Sequence, residues 1–329
     1  MKKVLCFAAA AMAIFASCQK TEVVYNNDGP QEIGIFAVNK VATKAPVDGA
    51  AFTYDKMKVA AYLAAGDGIA QGKNYFTDAV FNGNPNAASA TWTGGKYWPV
   101  SAATLNFHAV APVVNNVVTT FNNDNCAYIS TTTVTNNETS QHDVMYAVNR
   151  ASKTAAVAPT AVSMPFKHAY SWLYFTFKAA ASSPQIKVNY IRVNDVACNG
   201  KLDVTVTNAD AASDDKPLGV QQAWSAYNST NIDVPAPVDE FVLTTSVSGY
   251  ANGILLIPED PMTSFTINYT ITVDNDNHTF DYTYKPPTEL TWDAGKKYTY
   301  NISMTLSEIK IEPTVVDWTD VTAVDPDLK

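Results

Sequence analysis

The sequence predicts an all-β protein of two tandem antiparallel β-sandwich domains behind an N-terminal export segment. Three observations lead there. Apolar and polar residues alternate with period two in several runs, most clearly near the C-terminus. Tyr (17), Phe (14) and Trp (6) are plentiful and Val and Thr recur throughout, the composition of pleated, half-buried surface. Clusters of Asn, Gly and Pro break the chain into short segments, and 329 residues exceed the ~100–200 that one ordinary core organises.

Taken in order, the chain opens with Lys2 and Lys3, an apolar run Val4–Phe15, and Ala16-Ser17-Cys18. A run that short falls below the ~20 residues a helix needs to cross a bilayer, so residues 1–17 read as a signal peptide. Small residues directly before a cysteine resemble the lipobox of bacterial lipoproteins, with Phe15 where Leu, Val or Ile is usual. Cys18 is therefore the expected lipidation site, tying an exported chain to a membrane. Loss of Lys2 and Lys3 from 22 basic residues leaves a net of −11 against 31 acidic ones. That charge excludes nucleic acid as a partner, which requires a basic footprint. Of four cysteines only Cys126 and Cys198 would stay free, and they fall in different predicted domains, so two separate thiols are expected.

The N-terminal domain is placed at residues 18–164. Its first strand spans about 32–44, with Ile33 and Ile35 on one face and Phe36 and Val38 on the other. Strands are expected at Met57–Leu63, Tyr75–Phe81, Leu105–Ala111, Val117–Phe121 and Val144–Val148. Turns are expected at Asn82–Asn86 and Thr93-Gly94-Gly95. Ala151–Pro159 is small, polar and poorly patterned, and reads as a surface connection, so the division is set near Pro165.

The C-terminal domain is placed at residues 165–329. Tyr170–Phe177 is apolar on both faces, as the centre of a sheet under a domain interface requires. Leu218–Tyr227 is a helix candidate. Ile267, Tyr269, Ile271 and Val273 alternate with threonines and Asn268; after Asp274–Asn277 the pattern resumes at Phe280, Tyr282 and Tyr284, a hairpin wet on one face. Tyr298, Tyr300, Ile302, Met304 and Leu306 form another strand. In the last, Ile309, Ile311, Pro313 and Val315 face one way and Glu308, Lys310, Glu312 and Thr314 the other. Such a strand suits addition to an open sheet edge, and Pro313 places it at a margin. The competing reading is that it completes its own domain.

Catalytic chemistry finds little support. His108, His142, His168 and His278 lie at no metal-ligand spacing, and His108 sits in a strand beside Phe107, where packing explains it. His142-Asp143 has the look of a hydrolase dyad without further partners. There is no Gly-x-Ser-x-Gly elbow, Walker loop, His-Glu-x-x-His or Rossmann glycine pattern. No enzyme, metal or cofactor is expected. Asp274–Asn277 carries oxygens suited to calcium but lacks the glycine and glutamate of an EF-hand, so a turn is preferred. Trp92–Trp98 and Trp224–Tyr227 have rings that can stack on sugars, against packing as the simpler explanation.

Several blocks together resemble the fimbrillin family of Bacteroides-type pilus subunits. They are Tyr97-Trp98-Pro99 with Leu105–Pro112, Asp143–Ala147, Val162–Phe177, Gly253–Pro258, Leu290–Tyr300 and Ile311–Trp318, in family order from about Glu32 to Val321. The resemblance implies transthyretin-like sandwiches and a structural or adhesive fimbrial subunit that travels as a lipoprotein to the outer membrane, is exposed at the surface there, and enters the fimbria on assembly. It also implies that a protease removes the first strand and that the terminal strand of another pilin subunit fills the groove. The family's best-known members are cut after an arginine. Here the only arginines are Arg150 and Arg192, so the candidate processing sites are Lys40 and Lys44. The candidate donor strand is about 308–321, led by Ile309, Ile311 and Val315. The alternative is a monomeric surface lipoprotein that binds a glycan or host protein.

Overall fold

A computed structural model of the chain describes residues 29–39, 52–64, 73–87, 90–121, 128–135, 142–154, 158, 161–181, 184–206, 220–235, 241–258, 264–287 and 291–317. Among these residues every regular element is a strand. The first nine are β1 (Glu32–Asn39), β2 (Lys56–Leu63), β3 (Asn74–Asn82), β4 (Trp92–Tyr97), β5 (Ala103–Ala111), β6 (Val117–Phe121), β7 (Tyr128–Thr135), β8 (Met145–Lys153) and β9 (Val162–His168). The second nine are β10 (Ser171–Ala179), β11 (Gln185–Val206), β12 (Val220–Pro235), β13 (Phe241–Val242), β14 (Ser248–Leu256), β15 (Ser264–Val273), β16 (Asp276–Tyr284), β17 (Lys296–Met304) and β18 (Ile309–Asp317).

In the N-terminal unit the order β1-β4-β3-β2-β5-β8-β9 closes into a barrel, because β1 pairs antiparallel with β4 and parallel with β9. Alternation puts Ile33, Ile35, Phe81, Leu105, Phe107 and Phe166 inside, all buried. Two expectations fail here. Thr93–Gly95 is part of β4 and not a turn: Gly94 lies so close under Phe81 that a Cβ would sit 2.6 Å from its ring, and Gly95 has φ +63. Gly94 serves close packing of neighbouring strands and Gly95 supplies a left-handed backbone within β4, and neither reverses the chain. Further on, β8 continues to Lys153, and residue 165 lies inside β9, whose partners are β8 and β1. By pairing, the barrel therefore runs to His168, past the expected division.

The C-terminal unit is a sandwich. One sheet runs β14-β10-β17-β18 and faces the sheet that contains β16, β15 and β11. Leu173, Phe175, Phe177, Ile191, Phe265, Tyr298 and Tyr300 form its core. β10 is central, as expected, but only one of its faces is fully buried; Trp172 and Tyr174 on the other are half-buried, with the Lys297 ammonium 4.0 and 4.6 Å from their ring centres. Of the expected helix at Leu218–Tyr227, the described residues 220–227 are strand instead, part of β12, laid against the long β11. Its local sequence fits either state, and the partner strand decides, as tertiary context overrides weak propensity.

β11 joins the two units. Its first half pairs with β15, and its second half, from Asn199, pairs with the threonine-rich β7, which pairs in turn with β6. This sheet covers the outside of the barrel. Tyr62, Val110, Tyr146 and Val148 from the barrel meet Phe121, Leu202, Val204 and Ile257 in a shared core. The crossing at Ala169–Ser171 is tied on both sides: Ala169 N donates to Val144 O at 2.8 Å, Trp224 Nε1 to Ala169 O at 3.1 Å, and Ser171 Oγ to Asp293 O at 2.8 Å.

Candidate functional site

Two strands at opposite ends of the chain carry the features expected of assembly elements. β1 is a wall of the barrel held by short ladders, with a register shift against β4 and five parallel pairs with β9 from Ile35 to Asn39. Ile33, Ile35 and Ala37 point into the core, while Phe36 is half-buried on the outside. Taking β1 away would open a groove between β4 and β9 and strip cover from Trp92, Met164 and Phe166, members of the same core. Lys40 and Lys44 follow β1 directly in the chain but lie outside the described residues, as does Cys18.

β18 is the end strand of its sheet and pairs with β17 along all nine of its residues. Ile309, Ile311, Pro313 and Val315 sit opposite the buried Met304, Ile302, Tyr300 and Tyr298, so they share the inward face. The cover they receive is partial. Ile309 and Ile311 are half-buried against the core, and Val315 is 43% exposed. The strand thus both completes its own domain and keeps apolar surface uncovered. On its outward face Lys310 pairs with Glu312, and at its C-terminal end Lys296 pairs with Asp317, exposed contacts of small energetic weight. Those partners raise the Lys310 ammonium and lower the Glu312 carboxyl from their ordinary values.

The remaining sequence candidates are built into the fold. Trp92 and Trp98 are buried, and Trp224 stacks on Tyr170 with ring centres 5.6 Å apart, so these rings pack and are not laid out for a sugar. Asp274 and Asn275, with φ of 50 and 70, form a two-residue hairpin turn. Among the described residues no three His, Cys, Asp or Glu side chains converge as a metal site. Asp143 pairs with His168 and not with His142: Nδ1 lies 2.7 Å from Oδ2 and ties the end of β9 to the approach to β8. The two are 25 residues apart, so spacing gave no signal. His108 packs edge-on against Tyr62, and burial pushes its imidazole down to about 3. Cys126 lies outside the described residues.

The fimbrillin-like family model matches residues 26–318, which includes β1 and β18 and everything between. The chain belongs to the fimbrillin-like family. No curated relative matches this fimbrillin-like chain significantly. Among solved structures it is similar to a fimbrial protein from Bacteroides vulgatus, at 15% identity, TM-score 0.53, covering 88% of this chain and 100% of that one. Candidate cell adhesion proteins from Bacteroides uniformis and Bacteroides ovatus each share 16% identity at TM-score 0.52, over 88% of this chain and 98% and 99% of theirs. At such identities the likeness is one of fold.

Proposed function

We propose that this fimbrillin-like chain is a structural or adhesive subunit of a bacterial surface fimbria. In this reading it is exported as a lipoprotein through Cys18 and joined to other pilin subunits by strand exchange. The observation that carries the proposal is the family match, which extends from before β1 to the end of β18. The geometry supplies the physical means. Cleavage at Lys40 or Lys44 would free β1, exposing apolar groove where two isoleucines had been buried, a cost of roughly 1.5–3 kcal/mol for each. A strand bearing isoleucine and valine on alternate positions refills such a groove, and Ile309, Ile311 and Val315 of another copy are spaced for it. Backbone hydrogen bonds along the open edge supply affinity, and the side-chain pockets supply register.

Among the described residues, Trp92, Trp98 and Trp224 pack into the fold and give no platform for the alternative of a monomeric glycan binder. Immunogold labelling of whole cells tests the proposal: label should follow filaments, and trimmed protein should run as a heat-resistant ladder. Label confined to an envelope without filaments, together with monomer only after trimming, would favour the monomeric surface lipoprotein.

A further inference from the structure

A strand at the end of a sheet leaves a row of backbone donors and acceptors unpaired, and proteins blunt such edges with proline, lysine, bulges or brevity. The ends of the C-terminal sheets differ in this respect. β18 has Pro313 in mid-strand, β14 has a register shift against β10, and β6 spans only Val117–Phe121. β16 has none of these devices. It pairs with β15 at nine successive positions without a register shift, contains neither proline nor lysine, and has no described strand beyond it. Phe280 at its centre is 45% exposed.

Which groups are free follows from the turn. In a hairpin closed by Asp274 and Asn275, the Val273 carbonyl accepts from the Asp276 N–H. Hydrogen-bonded pairs then alternate along the ladder, so Asp276, His278, Phe280, Tyr282 and Tyr284 spend their backbone groups on β15. Asn277, Thr279, Asp281 and Thr283 direct theirs outward. Their side chains lie on the wet face, where they already form a polar ladder with β15: Thr283 with Thr266 at 3.0 Å, Asp281 with Asn268 at 2.7 Å, Thr279 with Thr270 at 3.0 Å and Asn277 with Thr272 at 2.7 Å.

We infer that β16 is a self-association edge, which pairs antiparallel with β16 of a second copy about a two-fold axis at Phe280. That register sets Thr279 against Asp281 of the second copy and Asn277 against Thr283, and the reverse. All four outward-facing residues then find a hydrogen-bonding partner. The same register continues the polar ladder across the join with hydroxyl, amide and carboxylate opposite one another. On the other face the two Phe280 rings, exposed in the monomer, cover each other. The arrangement is self-complementary and closed, which makes a dimer and not a filament. It is independent of strand donation by β18.

The test uses the full chain with Cys6, Cys18, Cys126 and Cys198 replaced by serine, so that no lipid is attached. Sedimentation equilibrium should show a concentration-dependent dimer. Thr279→Pro removes an outward N–H that β15 does not use, so it should leave the fold intact and weaken the dimer at least tenfold. Phe280→Cys places two thiols across a non-hydrogen-bonded pair, where Cβ atoms approach to about 4.5 Å, near disulfide range. Mild oxidation should give a covalent dimer, whereas Asp276→Cys, opposite Tyr284 of the second copy, should not crosslink. A chain monomeric at every concentration overturns the inference. So do an undiminished Thr279→Pro dimer, equal crosslinking of both cysteine variants, or open-ended oligomers, which point to donated strands. Should Thr279→Pro fail to fold, the cysteine pair decides alone.

Discussion

If β18 is a donor strand, Val315→Asp should separate folding from assembly. In its own domain Val315 is 43% exposed, opposite the buried Tyr298 at the margin of the sheet. Its partial burial contributes less than the roughly 1.5 kcal/mol of a fully buried valine, on the order of 0.5–1 kcal/mol. A carboxylate there keeps access to water, so the melting temperature should fall by only a few degrees, at about 2–4 °C per kcal/mol for a chain of this order of size. In a groove vacated by β1 the same carboxylate would face an apolar pocket without a partner, at an effective cost of several kcal/mol. With about 1.4 kcal/mol per tenfold, assembly should weaken at least a hundredfold. Trimmed wild-type and variant protein, run unheated and heated on denaturing gels beside a circular dichroism melt, give both readouts. A full ladder from Val315→Asp refutes the donor role. A melt lowered by well over ten degrees refutes it differently, by showing that Val315 belongs to its own core.

Three further outcomes are expected. Cys18→Ala should abolish fatty-acid incorporation and release the protein from the outer membrane or strand its precursor; palmitate label retained by the variant contradicts this. Mild trypsin should cut at Lys40 or Lys44 before sites elsewhere, read by mass spectrometry, with the remainder still folded; protection of both bonds would argue for an uncleaved subunit. The folded chain holds His108 neutral down to about 3, while the unfolded chain protonates it near the ordinary value of 6.5. In that window the unfolded state binds more protons, so stability falls as pH drops, by up to about 1.4 kcal/mol per pH unit. His108→Leu should flatten urea midpoints between pH 6.5 and 4.5, and an unchanged slope would mean that other groups govern acid lability.

Residue alternation was enough to place β15, β16 and β17, because in each the dry face needs only one partner layer and the pattern is local. The inward set of β18, from Ile309 to Val315, was legible for the same reason. Where a segment's state depended on a distant partner, local pattern failed. The threonine-rich β7 became a strand through β11, and residues 220–227 of the expected helix became part of β12 through the same strand. Gly94 and Gly95 looked like a turn because the service of Gly94 to Phe81 spans separate strands. The family blocks carried the fimbrillin resemblance without any structure. Pro313 already placed β18 at a margin, where it lies; the tertiary fold alone decided that β1 and β9 meet in parallel to close the barrel, that His168 finds Asp143, and that β16 lies at an open edge. Edge position is a matter of which neighbours are missing, and unless a proline such as Pro313 marks it, a strand's own residues record only the face it buries, not the strand that stops beside it.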